Sequence, residues 1–266
     1  MAIKLTTTSQ SSRFVKALGY GDAGVGKTVL CSTAPNPIII SAESGLLSLA
    51  HLDIPVIEVK TLEDVNDAYR FCTESEDAKH FETVCLDSIT EIAEVMLNKY
   101  KKEDKDPRKS YGLLAENMSE LVRAFRDLEN RHVYFSAKMT RIEDEHTGIS
   151  TFRPMMPGKT LVNGLPFFFD EVLALHIGKE EDGTPFRYIQ TEPDMQYIAK
   201  DRSGNLDTIE RPDLTHLFDK VLGEANPRLS ENQMTNKNAG AATAKQEEDQ
   251  KSESEETEVA KSDKED

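Results

Sequence analysis

The chain has 266 residues, 38% hydrophobic and 30% charged, with a formal net charge of −16 at pH 7. That length suits one large α/β domain or two small ones, and the acidic balance argues against coating nucleic acid by bulk charge while leaving room for a local basic patch. No apolar run reaches membrane length, no signal-peptide core opens the chain, and three scattered cysteines, Cys31, Cys72 and Cys85, suit a reducing compartment and argue against structural zinc. The expectation is a cytoplasmic protein with no membrane partner.

Residues 1–12 are polar and rich in Ser and Thr, which predicts a flexible N-terminal arm. The alternation over Phe14–Tyr20 predicts a strand, and that strand runs into Gly21-Asp22-Ala23-Gly24-Val25-Gly26-Lys27-Thr28, a full match to G-x-x-x-x-G-K-[ST]. Glycines let such a backbone curl until its N–H groups point inward at phosphates. Lys27 adds a point charge there, Thr28 offers a hydroxyl to Mg²⁺, and a helix opening at this point turns its positive end to the anion. The motif predicts a bound nucleoside triphosphate with its magnesium ion.

Pro35 and Pro37 precede Ile38-Ile39-Ile40, a short buried strand ending in Ser41-Ala42-Glu43-Ser44-Gly45. Val56–Val59 reads as a further strand and Leu62–Phe71 as a helix capped by Thr61. Thr83–Asp87 is a strand ending on an acid, followed by one helix face at Ile89, Ile92, Ala93, Met96 and Tyr100. Lys101–Ser110 reads as a charged break around Pro107. Leu114, Met118, Leu121, Val122, Phe125 and Leu128 predict an amphipathic helix over 113–130. His132–Ser136 is a strand, 139–160 carries no periodicity, and strands follow at Glu171–Ile177, Arg187–Thr191 and Gln196–Ala199. Short turns such as Asp182-Gly183 make these last strands antiparallel. From 224 to 266 there are 12 acidic residues against 6 lysines and arginines, and almost no large apolar side chain, which predicts a disordered acidic tail. The alternation of strands and helices over 13–223 predicts an α/β core, a mostly parallel twisted sheet with helices on both faces and antiparallel strands at the C-terminal side.

A phosphate loop needs a partner acid at a neighbouring strand end to hold magnesium, and Asp87 fits; a plain helix cap is the other reading of an Asp there. Glu43, just after a buried strand, is placed to orient or deprotonate water, or else is a solvated loop glutamate. Two aperiodic segments carry cations suited to phosphates: Lys101, Lys102, Lys105, Arg108 and Lys109 in 101–112, and Arg141, Arg153 and Lys159 in 139–160, where Phe152 can stack on a base. Both also read as solvated loops, because acids are interspersed. The six histidines form no metal-ligand spacing.

The series GDAGVGKT, IIISAESG, VCLDS, VYFSAK and YIAKDRSG resembles the ATPase core of RecA-type recombinases over about 13–223. It is most similar to the compact phage RecA-like proteins of single-strand annealing and recombination. The resemblance implies a RecA-like fold, ATP and Mg²⁺ as ligands, hydrolysis stimulated by DNA, single-stranded DNA as partner, and a homo-oligomeric ring or filament. It also implies contact with a single-stranded DNA-binding protein or another replication or recombination protein, and the host cytoplasm as location if the chain is phage-encoded. By position it implies that Glu43 activates water, that Asp87-Ser88 supports magnesium, and that 101–112 and 139–160 are the DNA loops. Lys138 takes the place of the usual glutamine that senses the γ-phosphate. Lys200 and Arg202, one residue apart, match the basic pair that reaches the neighbouring subunit's ATP. The recombinase's N-terminal oligomerisation module and C-terminal domain have no counterpart in these residues. Two other classes compete: a small-molecule or nucleotide kinase with 139–160 as its lid, and a nucleotide-switched adaptor in replication or defence. Stimulation of hydrolysis by single-stranded DNA separates the first reading from these.

Overall fold

Ile38-Ile39-Ile40 and Val84-Cys85-Leu86 are continuous apolar runs rather than alternating ones, the pattern of strands buried on both faces. In the computed structural model, which describes residue 5 and residues 14–43, 45–143 and 148–223, they lie inside a ten-stranded sheet. Its strands are β1 (Lys16–Gly21), β2 (Pro37–Ser41), β3 (Val56–Glu58), β4 (Thr83–Asp87), β5 (His132–Glu143), β6 (Ser150–Pro154), β7 (Glu171–Lys179), β8 (Pro185–Gln190), β9 (Lys200–Asp201) and β10 (Ile209–Glu210). The order is β10-β8-β7-β1-β5-β4-β2-β3, with β6 on β5 and β9 on β7. Strands β7, β1, β5, β4, β2 and β3 are parallel, whereas β8, β10, β6 and β9 pair antiparallel. The fold class is as the sequence predicts. The described residues up to Leu222 belong to one compact unit. The expected acidic tail lies outside the described residues, as does the expected arm apart from Leu5.

Helices cover both faces. On one face Leu18, Tyr20, Leu86 and Phe135 form a core with α2 (Leu62–Glu74), α3 (Ile89–Glu103) and α4 (Pro107–Arg126). On the other, Ala17, Ile39, Cys85 and Tyr134 meet α1 (Lys27–Cys31) and α6 (Leu214–Val221). Thr61 caps α2 in a capping box with Asp64, as its position before the apolar stripe indicates. The three cysteines are free and buried, and among the described residues no helix is long and apolar enough to cross a membrane.

Four expectations need correction. The charged break 101–110 shrinks to 104–106, because Asp106 caps α4 and Pro107 sits in its first turn, where a missing N–H costs nothing. Consequently the helix expected over 113–130 spans Pro107–Arg126. The aperiodic segment 139–160 is largely regular: Met139–Glu143 and Ser150–Pro154 form an antiparallel ribbon, and α5 (Lys159–Gly164) follows. Its residues are mostly half-buried, so no apolar alternation marks it. Gln196–Ala199 is not a strand; it touches the sheet through one bridge, Tyr197 to Phe152, while Tyr20 Oη donates to the carbonyls of Ile198 (2.6 Å) and Phe152 (3.1 Å).

At the centre of the sheet, Gly19 lies beside Tyr134. A Cβ on Gly19 would stand 2.2 Å from Tyr134 Oη and 2.9 Å from its ring. Tyr134 is fully buried, and its hydroxyl finds no hydrogen-bond partner among the described residues. Gly19→Ala is therefore expected to cost roughly 1–3 kcal/mol by overpacking, and Tyr134→Phe to be near neutral alone and to relieve part of that loss in the double variant. Urea unfolding of the four proteins checks this; strictly additive effects would count against the contact.

Candidate nucleotide site

Parallel strands deliver their C-terminal ends to one edge, and the order β1-β5-β4-β2 sets four of those ends side by side. In register, Gly21 faces Lys138, Leu86 faces Phe135, and Ser41 faces Asp87. The phosphate loop, Lys138, Asp87 and the residues after Ser41 thus meet by topology alone.

The loop leaves β1 at Gly21, where a Cβ would strike Val25 Cγ1 at 2.9 Å and Leu175 O at 3.0 Å. Gly24 (φ 76°) and Gly26 (φ 107°) are left-handed, the conformation that curls the loop. Helix α1 has only five residues, so the dipole expected to aid the anion is that of little more than one turn. Lys27 Nζ folds back on the loop, donating to the carbonyls of Gly21 (3.0 Å) and Asp22 (2.9 Å). Burial pulls its pKa down against the raising effect of Glu43, Asp87 and Asp22.

Asp87 is 2% exposed. Its Oδ2 accepts from Thr28 Oγ1 at 2.7 Å and its Oδ1 accepts from Ser136 Oγ. Burial pushes the carboxyl pKa up, and the two hydroxyls and the Lys27 charge only partly oppose this. Thr28 and Asp87 are hard oxygen donors. Among the described residues no group of three or more His, Cys, Asp or Glu is placed to hold a metal. Such a sparse set fits magnesium, which keeps water and phosphate as most of its ligands.

Glu43 Oε1 accepts from Ser88 Oγ at 2.5 Å, and its carbonyl accepts from Ser41 Oγ at 2.7 Å. Lys138 forms an ion pair with Glu91 of α3, which raises its pKa, and its N–H donates to Thr90 Oγ1 at 3.0 Å. Gly21–Leu30, Glu43, Lys138, Met139, Met155, Arg187 and Pro212 line a cavity of about 750 Å³. A larger one, about 870 Å³, lies elsewhere, lined by Lys16, Asp170, Glu171 and Arg202 among others; the phosphate-binding chemistry is in the smaller.

Lys200 and Arg202 are not part of this constellation. Strand β9 pairs with the start of β7, Val172 against Lys200, and so lies toward the opposite edge of the sheet. Lys200 Nζ donates to the carbonyls of Pro166 (3.1 Å) and Phe169, and Arg202 pairs with Asp170 at 2.8 Å. The segments expected as DNA loops are also placed. Lys101 and Lys102 end α3, Lys105 is in the connection, and Arg108 and Lys109 open α4, where Lys109 pairs with Asp104. Lys101 lies 5.3 Å from the Tyr111 ring centre. Arg141 and Arg153 lie on the β5–β6 ribbon, Arg153 bonded to Thr151 Oγ1 (3.1 Å) and Asn163 Oδ1 (2.9 Å), and Lys159 opens α5. Phe152 is already stacked on Tyr197, centroids 4.7 Å apart, so one of its faces is taken.

Sequence reasoning passed over Ser136, Glu91, Thr90 and Arg187. Ser136 lies inside the quoted VYFSAK and Thr90 just past VCLDS, neither with a motif role of its own. Arg187, on an antiparallel strand 162 positions from the loop residue it touches, carries no local signal at all.

The arrangement defines a P-loop ATPase domain. Residues 13–203 match the AAA domain family, and the chain belongs to it. Among solved structures, the chain has a likeness to a KaiC-like protein from the archaeon Pyrococcus horikoshii OT3, at 14% identity and TM-score 0.36, covering 66% of this chain and 78% of that one. No curated protein matches.

Lys27→Ala is expected to abolish nucleotide binding or turnover, since Lys27 is the loop's own cation. Glu43→Gln should leave binding nearly intact and slow hydrolysis by ~10²-fold or more. Nucleotide titration and phosphate release check both. Glu171, 2% exposed at the opposite edge, has its pKa raised from 4.5 to about 8 by burial and by the Asp201 charge. The folded state therefore holds a proton that the unfolded chain releases, and the stability this contributes is lost as pH rises from 4.5 through about 8. Thermal unfolding across that range should show a decline that Glu171→Gln flattens.

Proposed function

We propose that this ATPase couples its nucleotide state to single-stranded DNA, acting in phage-type recombination or single-strand annealing. One observation carries the reading. Lys138 lies in the nucleotide cavity and Arg141 lies three residues further along the same strand, on the cationic ribbon. Met155 N–H donates to Lys138 O at 2.6 Å, and Thr90 Oγ1, which receives the Lys138 N–H, donates to Met155 O at 2.8 Å. A change at Lys138 thus has a direct mechanical path into the ribbon. The second cationic segment adjoins the first: a Cβ on Gly158 would lie 3.4 Å from Tyr111 Cδ1. The series of RecA-type motifs in the sequence supports the same reading.

In the proposed cycle water attacks the γ-phosphate in line, with Glu43 accepting its proton and Lys27 stabilising the charge that develops. Thr28 and Asp87 would hold magnesium, which would neutralise phosphate charge. Lys200 and Arg202, remote from the loop of their own chain, act on the nucleotide of a neighbouring copy in a ring or filament. DNA and nucleotide favour the same assembled state, so each raises the other's affinity.

The test is the ATPase rate with and without single-stranded DNA. Stimulation is expected, and its absence would leave a kinase or a nucleotide-switched adaptor as the better description. Replacing Arg141, Arg153 and Lys159 by Ala should weaken DNA binding and reduce the slope of log affinity against log salt by roughly 0.7 for each phosphate no longer neutralised. An unchanged slope would move the DNA elsewhere.

A further inference from the structure

Arg187 lies on β8, across β7 from β1, and its side chain reaches over the back of the phosphate loop. Nε donates to Val25 O at 3.1 Å and Nη2 to Gly24 O at 3.5 Å. Its stem lies under Gly26, where a Cβ would stand 3.3 Å from Arg187 Cδ and 3.4 Å from Nε. One guanidinium therefore spans the loop between its two left-handed glycines and lines the nucleotide cavity.

The two carbonyls have a specific relation to the ligand. Gly24 C=O shares its peptide unit with the Val25 N–H, and Val25 C=O with the Gly26 N–H. A cation donating to the oxygen of a peptide withdraws charge from it and makes the N–H at its other end a stronger donor. It also fixes the plane of each unit, so the N–H groups need not be reoriented when phosphate arrives. Within the loop itself the Val25 N–H makes only a long contact, 3.4 Å to Asp22 O. A guanidinium suits such a brace because its planar fork holds two N–H donors in one fixed geometry, whereas an ammonium is a point charge on a flexible stem. Arg187 itself is solvent-exposed, so the fold does not rely on its burial.

We infer that Arg187 is a positioning residue of the nucleotide site. It acts from its own chain, braces the Gly24–Gly26 backbone and strengthens that backbone's grip on the diphosphate portion common to ATP and ADP. The inference rests on the P-loop ATPase reading and refines it. It also separates the cations by role, since Arg187 serves the loop of its own chain, while Lys200 and Arg202 face away from that loop.

The test compares the full chain with Arg187→Ala, Arg187→Lys and Lys27→Ala by titration with ATP and with ADP, turnover at saturating ATP, and thermal unfolding without nucleotide. Arg187→Ala is expected to weaken ATP and ADP by the same factor, roughly tenfold or more, with turnover at saturation and unfolding temperature close to wild type. Arg187→Lys should recover only a small part of the affinity. Unchanged ADP affinity in Arg187→Ala, with affinity lost in Lys27→Ala, would overturn the brace and leave the ATPase reading standing. Loss confined to ATP would overturn it in favour of a γ-phosphate contact, and a marked fall in unfolding temperature in favour of a structural role. A wild-type chain that binds neither nucleotide would end both.

Discussion

Asp87 is a carboxylate buried beneath a phosphate loop, and among the described residues its side chain is hydrogen-bonded only by neutral hydroxyls, from Thr28 and Ser136. Burying such a charge without a paired cation is expensive, and burial duly raises its pKa. A cation brought to the site would offset that cost. Lys27 supplies some positive charge at a distance, its ammonium resting on loop carbonyls rather than on the acid. Magnesium bound with a nucleotide would supply the rest, with Thr28 and Asp87 as the residues that would hold it.

The neighbours of Asp87 extend that logic outward. Ser88 follows it in sequence and donates to Glu43, linking the acid proposed to support magnesium to the one proposed to activate water. On the adjacent strand Ser136 donates to Asp87, and Lys138, two residues on, pairs with Glu91 across to α3. Because β5 continues without interruption from the core into the ribbon, nucleotide pocket and cationic surface share one backbone. Coupling of this kind needs no loop to fold; it needs a strand to shift or tilt. The helical corner around Pro107 and the ribbon are consequently firmer platforms than aperiodic loops would be.

The sheet's two edges serve different ends. The C-terminal edge gathers the anion-binding groups, while the start of β7 carries Lys200 and Arg202, tethered to carbonyls and to Asp170. In the proposed cycle this basic pair, remote from the loop of its own chain, acts across an interface between copies.

What the sequence determined by itself is the loop and the acids that close the strands beside it. Their chemistry is local: glycines at fixed spacing, a lysine and a threonine behind them, and acids closing apolar runs. The buried strands and the amphipathic faces of α2–α4 were legible for a similar reason, since burial imprints a period on the chain. The ribbon and the turn into α4 were not, because half-buried strands leave no clear period and Pro107 reads as a breaker until its place in a first turn is known. Ser136, Glu91 and Arg187 were decided only by tertiary structure. Parallel pairing sets β1 beside β5 and β5 beside β4, and antiparallel pairing hangs β8 on β7. Residues as distant in the chain as Arg187 and Val25, 162 positions apart, come within hydrogen-bond reach through register, which no local pattern encodes.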